Sequence, residues 1–288
     1  MVPTKMKISV IVSTYNRPDA LTRVLAGLYE QTRLPDEILV ADDGSTEETR
    51  RCVEELEPHS TAKTIHVWQP DEGFRLAQIR NKALRACSGD YVIFLDGDCI
   101  PDPHFVEDHE HLSDRGYFGQ GKRILVDRAL SDTFTHRDIA GKRLGLFFSR
   151  HLGNRHHLLR LRWLPPLINT RLGGTRFCNV AIFRSDLYAV NGFNEAFKGW
   201  GREDSEMVVR LYKYGLKRKE HPFAAICFHL WHPENDRAHL SVNDQLLAQA
   251  QAADTCLCAQ GLQTLQLPMP SGTRTEGKST STQDSRHA

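Results

Sequence analysis

Asp96-Gly97-Asp98 closes an apolar run, Tyr91 to Leu95, and sets two carboxylates one glycine apart. Hard divalent cations take oxygen ligands, and a nucleotide diphosphate can supply several of them while the protein gives only one or two. An Asp-Gly turn leaving a strand accounts for the same residues. Two more polar clusters follow apolar runs in the same way: Ser13-Thr14-Tyr15-Asn16-Arg17, and Asp42-Asp43-Gly44-Ser45. Neither a Gly-x-Gly-x-x-Gly loop nor a Walker-type loop follows the first run, which disfavours both common nucleotide folds. Further on, Glu203 and Asp204 form a second acidic pair, and His229 and His232 stand three apart, adjacent on one side of a turn or helix. Each has a plainer reading. Glu203, Asp204 and Glu206 complement a helix N-terminus whose other end carries Arg210 and Lys213, and an ordinary core or surface histidine is the default for either imidazole.

These clusters need a frame that gathers strand ends. Ile8, Val10, Ile11 and Val12 form a nearly continuous apolar run, as in a strand covered on both faces. Pro18 suits the first turn of a helix that ends before Pro35. A second strand spans Ile38 to Ala41, after which Ser45-Thr46-Glu47-Glu48 reads as a capping box opening a second helix. Ile65 to Trp68 predicts a third strand, Leu76 to Ala86 a helix, and Tyr91 to Leu95 a fourth strand. Strands alternating with helices at this spacing are βαβ units, and open parallel sheets bind ligands at the carboxyl ends of their strands. Helical spacing returns from Asp204 to Gly215, with Met207, Val208 and Leu211 facing the core and Gly215 as the stop.

The 288 residues suffice for one large domain, and a net charge of +1 gives no global reason to expect nucleic acid as a partner. No run approaches the roughly 20 apolar residues of a membrane-spanning helix, and Met1 leads through Lys5 straight into a strand. The seven scattered cysteines fit the reduced thiols of a cytoplasmic protein. Between His136 and Arg171, eight Lys or Arg stand against one acid, Asp138, with Leu144, Phe147, Phe148 and Trp163 interleaved. This basic segment, 137–171, is either a solvated face or a surface for anionic membrane lipid or acceptor phosphate. Residues 266–288 have the composition of a disordered tail.

In order, Ser9-Val10-Ile11-Val12-Ser13-Thr14-Tyr15-Asn16-Arg17, Asp42-Asp43-Gly44-Ser45 and Asp96-Gly97-Asp98 resemble the motifs of the family 2 glycosyltransferases, over about Lys7 to Pro233. The resemblance implies an α/β GT-A fold, a mostly parallel central sheet flanked by helices, in one domain at 1–265. Its nucleotide-sugar half would be 1–100 and its acceptor half 101–265. It implies that Thr14, Asn16, Arg17 and Asp43 bind the donor, with Asp96 by the ribose and metal and Asp98 on the metal. Gly73 to Asn81 matches the family's Gly-x-x-x-Ala-x-x-Arg-Asn segment, in which Arg75 or Arg80 meets the diphosphate; a solvated helix face competes with that reading.

Gly199-Trp200-Gly201-Arg202-Glu203-Asp204 resembles the Trp-Gly-x-Glu-Asp element of β-1,4-galactosyltransferases and bacterial chondroitin polymerase modules. By that resemblance Asp204 is the catalytic base, and Trp200 and Glu203 border the acceptor. His232 stands five residues after Cys227, like the metal-binding histidine of the galactosyltransferases, and His229 takes the place of their second ligand. The implied activity is an inverting transfer from a UDP-sugar to a hydroxyl of a glycan or lipid-linked glycan, with Mn²⁺ or Mg²⁺. The implied setting is bacterial surface polysaccharide or lipopolysaccharide synthesis, in the cytoplasm or peripherally at the inner face of the membrane. Two rivals stay open: a nucleotidyltransferase acting on a sugar phosphate, and an inactive glycan-binding module of the same fold.

Overall fold

The computed structural model describes residues 5–56, 62–234 and 236–265. The expected tail, 266–288, lies outside the described residues. Four strands, β1 (Ile8–Thr14), β2 (Glu37–Asp42), β3 (Lys63–Trp68) and β4 (Tyr91–Asp96), pair in parallel in the order β3-β2-β1-β4. Helices α1 (Pro18–Tyr29), α2 (Glu47–Leu56) and α3 (Leu76–Ala86) make the crossovers. Every residue of β1 is buried, because both faces are covered. Val10 and Val12 pack with Leu21, Val24 and Leu25 of α1, whereas Ile11 packs with Ala77, Ile79 and Ala83 of α3. Each such Val, Leu or Ile contributes about 1.5–3 kcal/mol by leaving water.

One expectation fails here. Helix α2 begins at Glu47, and the Ser45 hydroxyl accepts the Asn16 N–H at 2.8 Å instead of capping that helix.

The chain then passes through β5 (Cys99–Pro101), α4 (Phe105–Leu112), β6 (Tyr117–Gln120) and β7 (Lys122–Val126). Short helices α5 (Arg128–Ser131), α6 (His136–Gly141) and α7 (Arg143–Phe148) precede β8 (Leu152–Gly153) and β9 (Leu167–Asn169). After them come β10 (Asn179–Phe183), α8 (Arg184–Ala189), α9 (Glu203–Lys213), β11 (Lys217–Glu220), β12 (Ile226–His229) and α10 (Leu240–Ala252). Strand β10 runs antiparallel beside β4, and β6, β11 and β9 extend the sheet to eight strands. A second sheet, β5-β12-β7-β8, was not anticipated. Asn179 ties the two together: its amide donates to the carbonyls of Lys122 and Ala225 and accepts from His109.

The basic segment does not form one continuous face. Arg143 pairs with Asp102, Arg160 with Asp108 and Arg162 with Glu107, so these three arginines tie the segment to the body.

Helix α9 is seated by Met207, Val208 and Leu211, all fully buried, and by an ion pair between Glu206 and Arg210 at 2.8 Å. Both partners are 2 % exposed, so removing one leaves an unmet buried charge. Arg210→Ala is expected to lower the unfolding free energy by about 3–5 kcal/mol in urea titrations. A loss under 1 kcal/mol would show that water replaces the pair.

Candidate active site

The carboxyl ends of β1, β2 and β4 meet at one edge. Asp43 N–H donates to the Thr14 carbonyl at 3.0 Å, and Gly97 N–H to that of Ser13 at 2.7 Å. A Cβ on Gly97 would lie 2.9 Å from the Ser13 oxygen, so only glycine lets the two strand ends approach this closely. Asn16 is held left-handed at φ 48°, and its side-chain oxygen accepts the Thr46 N–H at 2.9 Å. The Asp43 carboxylate is buried and accepts from the Gln69 amide and, at 2.7 Å, from the Arg75 N–H. Burial raises its pKa despite those bonds. The Arg75 guanidinium turns to Glu72 and the Pro70 carbonyl, so Arg75 serves this cluster through its backbone.

Asp98, His229 and His232 each offer a ligand atom, and these atoms all lie within 4.8 Å of one another. The pairing of β5 with β12 brings this about, because His229 lies opposite Cys99, the neighbour of Asp98. His232 donates through Nδ1 to the Pro233 carbonyl at 2.6 Å. That fixes the tautomer and leaves the Nε2 lone pair, 3.5 Å from Asp98, free to ligate. Burial lowers the pKa of His229 and keeps it neutral, the form that binds metal. One carboxylate and two imidazoles suit a divalent transition ion such as Mn²⁺ better than Mg²⁺. Arg17 also reaches Asp98, at 3.0 Å, which places it beside these three residues.

Between these clusters and α9 lies Arg80, 1 % exposed. It donates to Ser13 Oγ at 3.2 Å, to Asp96 at 3.1 Å and to Asp204 at 2.9 Å. The rings of Phe177 and Phe193 lie 5.9 and 5.3 Å from its guanidinium carbon. Its donors are therefore spent on carboxylates, which corrects the expectation of a diphosphate ligand, and it is no solvated helix face. The second Asp204 oxygen accepts the Phe177 N–H at 2.9 Å. Burial raises the pKa of Asp96, with Arg80 opposing the shift.

Glu203 is half-buried, but its Oε2 is enclosed and has no hydrogen-bond partner among the described residues. Burial, then the Asp204 charge, raises its pKa strongly, so it can hold a proton and donate as well as accept. Trp200 sits in a loop where Gly199, Gly201 and Arg202 all have positive φ, and Arg237 lies over its ring at 5.4 Å. A Cβ on Gly199 would meet the His239 ring at 2.6 Å. The Gly199 N–H donates to the Phe74 carbonyl at 3.0 Å, which ties this loop to the Asp43 side. Phe193 and Arg237 were not singled out from the sequence; no local spacing marks them.

The chain matches the model described as Glycosyl transferase family 2 over residues 9–185, and that described as the N-terminal domain of galactosyltransferase over 166–233. It is 31 % identical over 271 residues to chondroitin synthase of Escherichia coli, covering 84 % of this chain and 38 % of that protein. It thus spans well under half the length of that curated relative. Staphylococcus aureus TarS 1–349 in complex with UDP superposes with a TM-score of 0.58 at 20 % identity, over 85 % of this chain and 65 % of that one. The mannosyltransferase PcManGT of Pyrobaculum calidifontis, in complex with GDP-Man and Mn²⁺, gives 0.56 at 22 % identity, over 86 % and 64 %.

Mn²⁺ titrated into the protein by calorimetry is expected to fill one site. Asp98→Ala should weaken it at least about tenfold, the loss usual even for outer-shell changes. Unchanged affinity in the variant would remove this cluster from consideration.

Proposed function

The chain belongs to glycosyl transferase family 2 and has its GT-A fold, and from that premise we propose that it transfers a sugar from a UDP-sugar to a glycan hydroxyl with inversion. The observation that supports this most is the placement of Asp204. Its carboxylate is aligned by Arg80 on one oxygen and the Phe177 N–H on the other, within one ion-pair network with Asp96 of the nucleotide half. A structural helix-start acid needs no such link to a strand end.

In this reading Thr14, Asn16 and Asp43 hold the nucleoside, Asp43 accepting from the base. Arg17 and Asp96 lie toward the ribose and diphosphate. A divalent cation on Asp98, His229 and His232 would neutralise diphosphate charge as UDP leaves. Asp204 takes the acceptor's proton as the hydroxyl oxygen bonds to the anomeric carbon and the bond from that carbon to the phosphate oxygen breaks. Trp200 offers a flat apolar face to the acceptor ring, and Glu203 a carboxyl able to bond its hydroxyls in either sense. The likeness to a polysaccharide synthase supports a role in bacterial surface polysaccharide or lipopolysaccharide assembly. No helix among the described residues is long and apolar enough to cross a membrane; contact with an anionic membrane, if made, is peripheral in this reading.

UDP release from a panel of UDP-sugars is expected with Mn²⁺ and should vanish in EDTA. Asp204→Asn should bind UDP normally and lose at least about a hundredfold in turnover. Near-normal turnover in that variant would return Asp204 to helix-end charge balance, and pyrophosphate in place of UDP would make the protein a nucleotidyltransferase.

A further inference from the structure

Residues 139–171 contain seven Lys and Arg and no Asp or Glu. Arg150 there, and Arg137 just before, have no side-chain hydrogen bond or ion pair among the described residues, and both are exposed. Helices α5, α6 and α7 border a cleft of about 480 Å³, lined by Leu130, Phe134, Leu144 and Leu146 and by the ion pair of Asp138 with Lys142 at 3.2 Å. Leu144 is 76 % exposed and neighbouring Phe148 74 %. Apolar side chains this exposed beside a mostly apolar cleft of ligand size mark a binding surface, and since Asp138 is offset by Lys142, the unpaired Arg137 and Arg150 beside it favour an anion.

The cleft adjoins the cluster of Asp98, His229 and His232. Phe134 lines it and stacks on Phe228 at 5.3 Å, one residue before His229. On the same short helix as Leu130, the Ser131 hydroxyl accepts the Trp231 N–H at 2.9 Å, one residue before His232. A chain seated in the cleft therefore lies one layer of side chains from the Asp98, His229 and His232 cluster.

We propose that this cleft holds the apolar chain of a lipid phosphate that carries the acceptor, with Lys142, Arg137 and Arg150 meeting its phosphate. The acceptor role rests on the transfer reading above; the lipid site itself does not. An isolated lipid chain fits better than a bilayer surface, because the apolar groups converge on a concavity and three of the segment's arginines are turned inward.

The test uses the full chain and farnesyl phosphate below its micellar concentration, followed by tryptophan fluorescence. Gly145 lines the cleft on α7, and an added Cβ there meets nothing within 4 Å, so Gly145→Leu fills the cleft while improving the helix. Saturable binding is expected, with at least a tenfold loss in Gly145→Leu and in Leu144→Glu, and with UDP binding and donor hydrolysis unchanged in both. Inorganic phosphate at the same concentration should not compete. The proposal is overturned by no saturable binding, by equal affinity in the variants, by full competition from inorganic phosphate, or by binding to anionic vesicles alone. If the parent releases no UDP yet binds farnesyl phosphate, the transfer reading fails and the lipid site stands.

Discussion

A guanidinium at 1 % exposure is the constraint on which the rest of this structure turns. A charge that deep costs several kcal/mol unless its donors are met, and Arg80 meets them from three separate places. Ser13 ends β1, Asp96 ends β4, and Asp204 opens α9. The first hundred residues and the later half are thereby fixed against each other at the atoms where chemistry would occur. Phe177 and Phe193 cover the guanidinium, and the Phe177 N–H fixes the remaining Asp204 oxygen. Such a network is poor evidence of stability, because a packed apolar core would hold the halves together at lower cost.

The cluster of Asp98, His229 and His232 depends on the second sheet in a similar way. Strand β12 pairs antiparallel with β5 and parallel with β7, and this sets His229 beside Asp98. The Leu230 N–H then bonds the Asp98 carbonyl at 2.9 Å and aims the chain toward His232. One short strand and the residues just after it thus bring both imidazoles to a carboxylate from the first hundred residues.

Much of this was legible in the sequence, and what was not has a physical reason. The bounds of α3, Leu76 to Ala86, coincide with the sequence reading because its buried positions recur at helical spacing. Asp98, His229 and His232 were legible by type and order, and the fold brings them together. Arg80 was visible as a cation on a helix, but the carboxylate that turns it inward lies 124 residues away, where no local pattern reports it. Arg143, Arg160 and Arg162 looked like part of a basic run because their partners, Asp102, Asp108 and Glu107, belong to a different segment. The second sheet has strands of two to five residues, too short to show a period of two. Ser45 followed the rules of capping, yet its hydroxyl found the Asn16 N–H across the cleft between two strand ends.

The central claim is that Arg80 acts through Asp204 to set the base in place, and a double-mutant cycle on turnover tests it most directly. Arg80→Lys keeps the charge but cannot bridge two carboxylates and a hydroxyl with one planar fork. Turnover by Arg80→Lys, Asp204→Asn and the double variant would be measured under saturating donor, with circular dichroism confirming the fold of each. The double variant is expected to lose no more than about threefold beyond Asp204→Asn alone, since residues that act as a unit are not additive. Losses that multiply would show that Arg80 works on something other than the base, and would contradict the account.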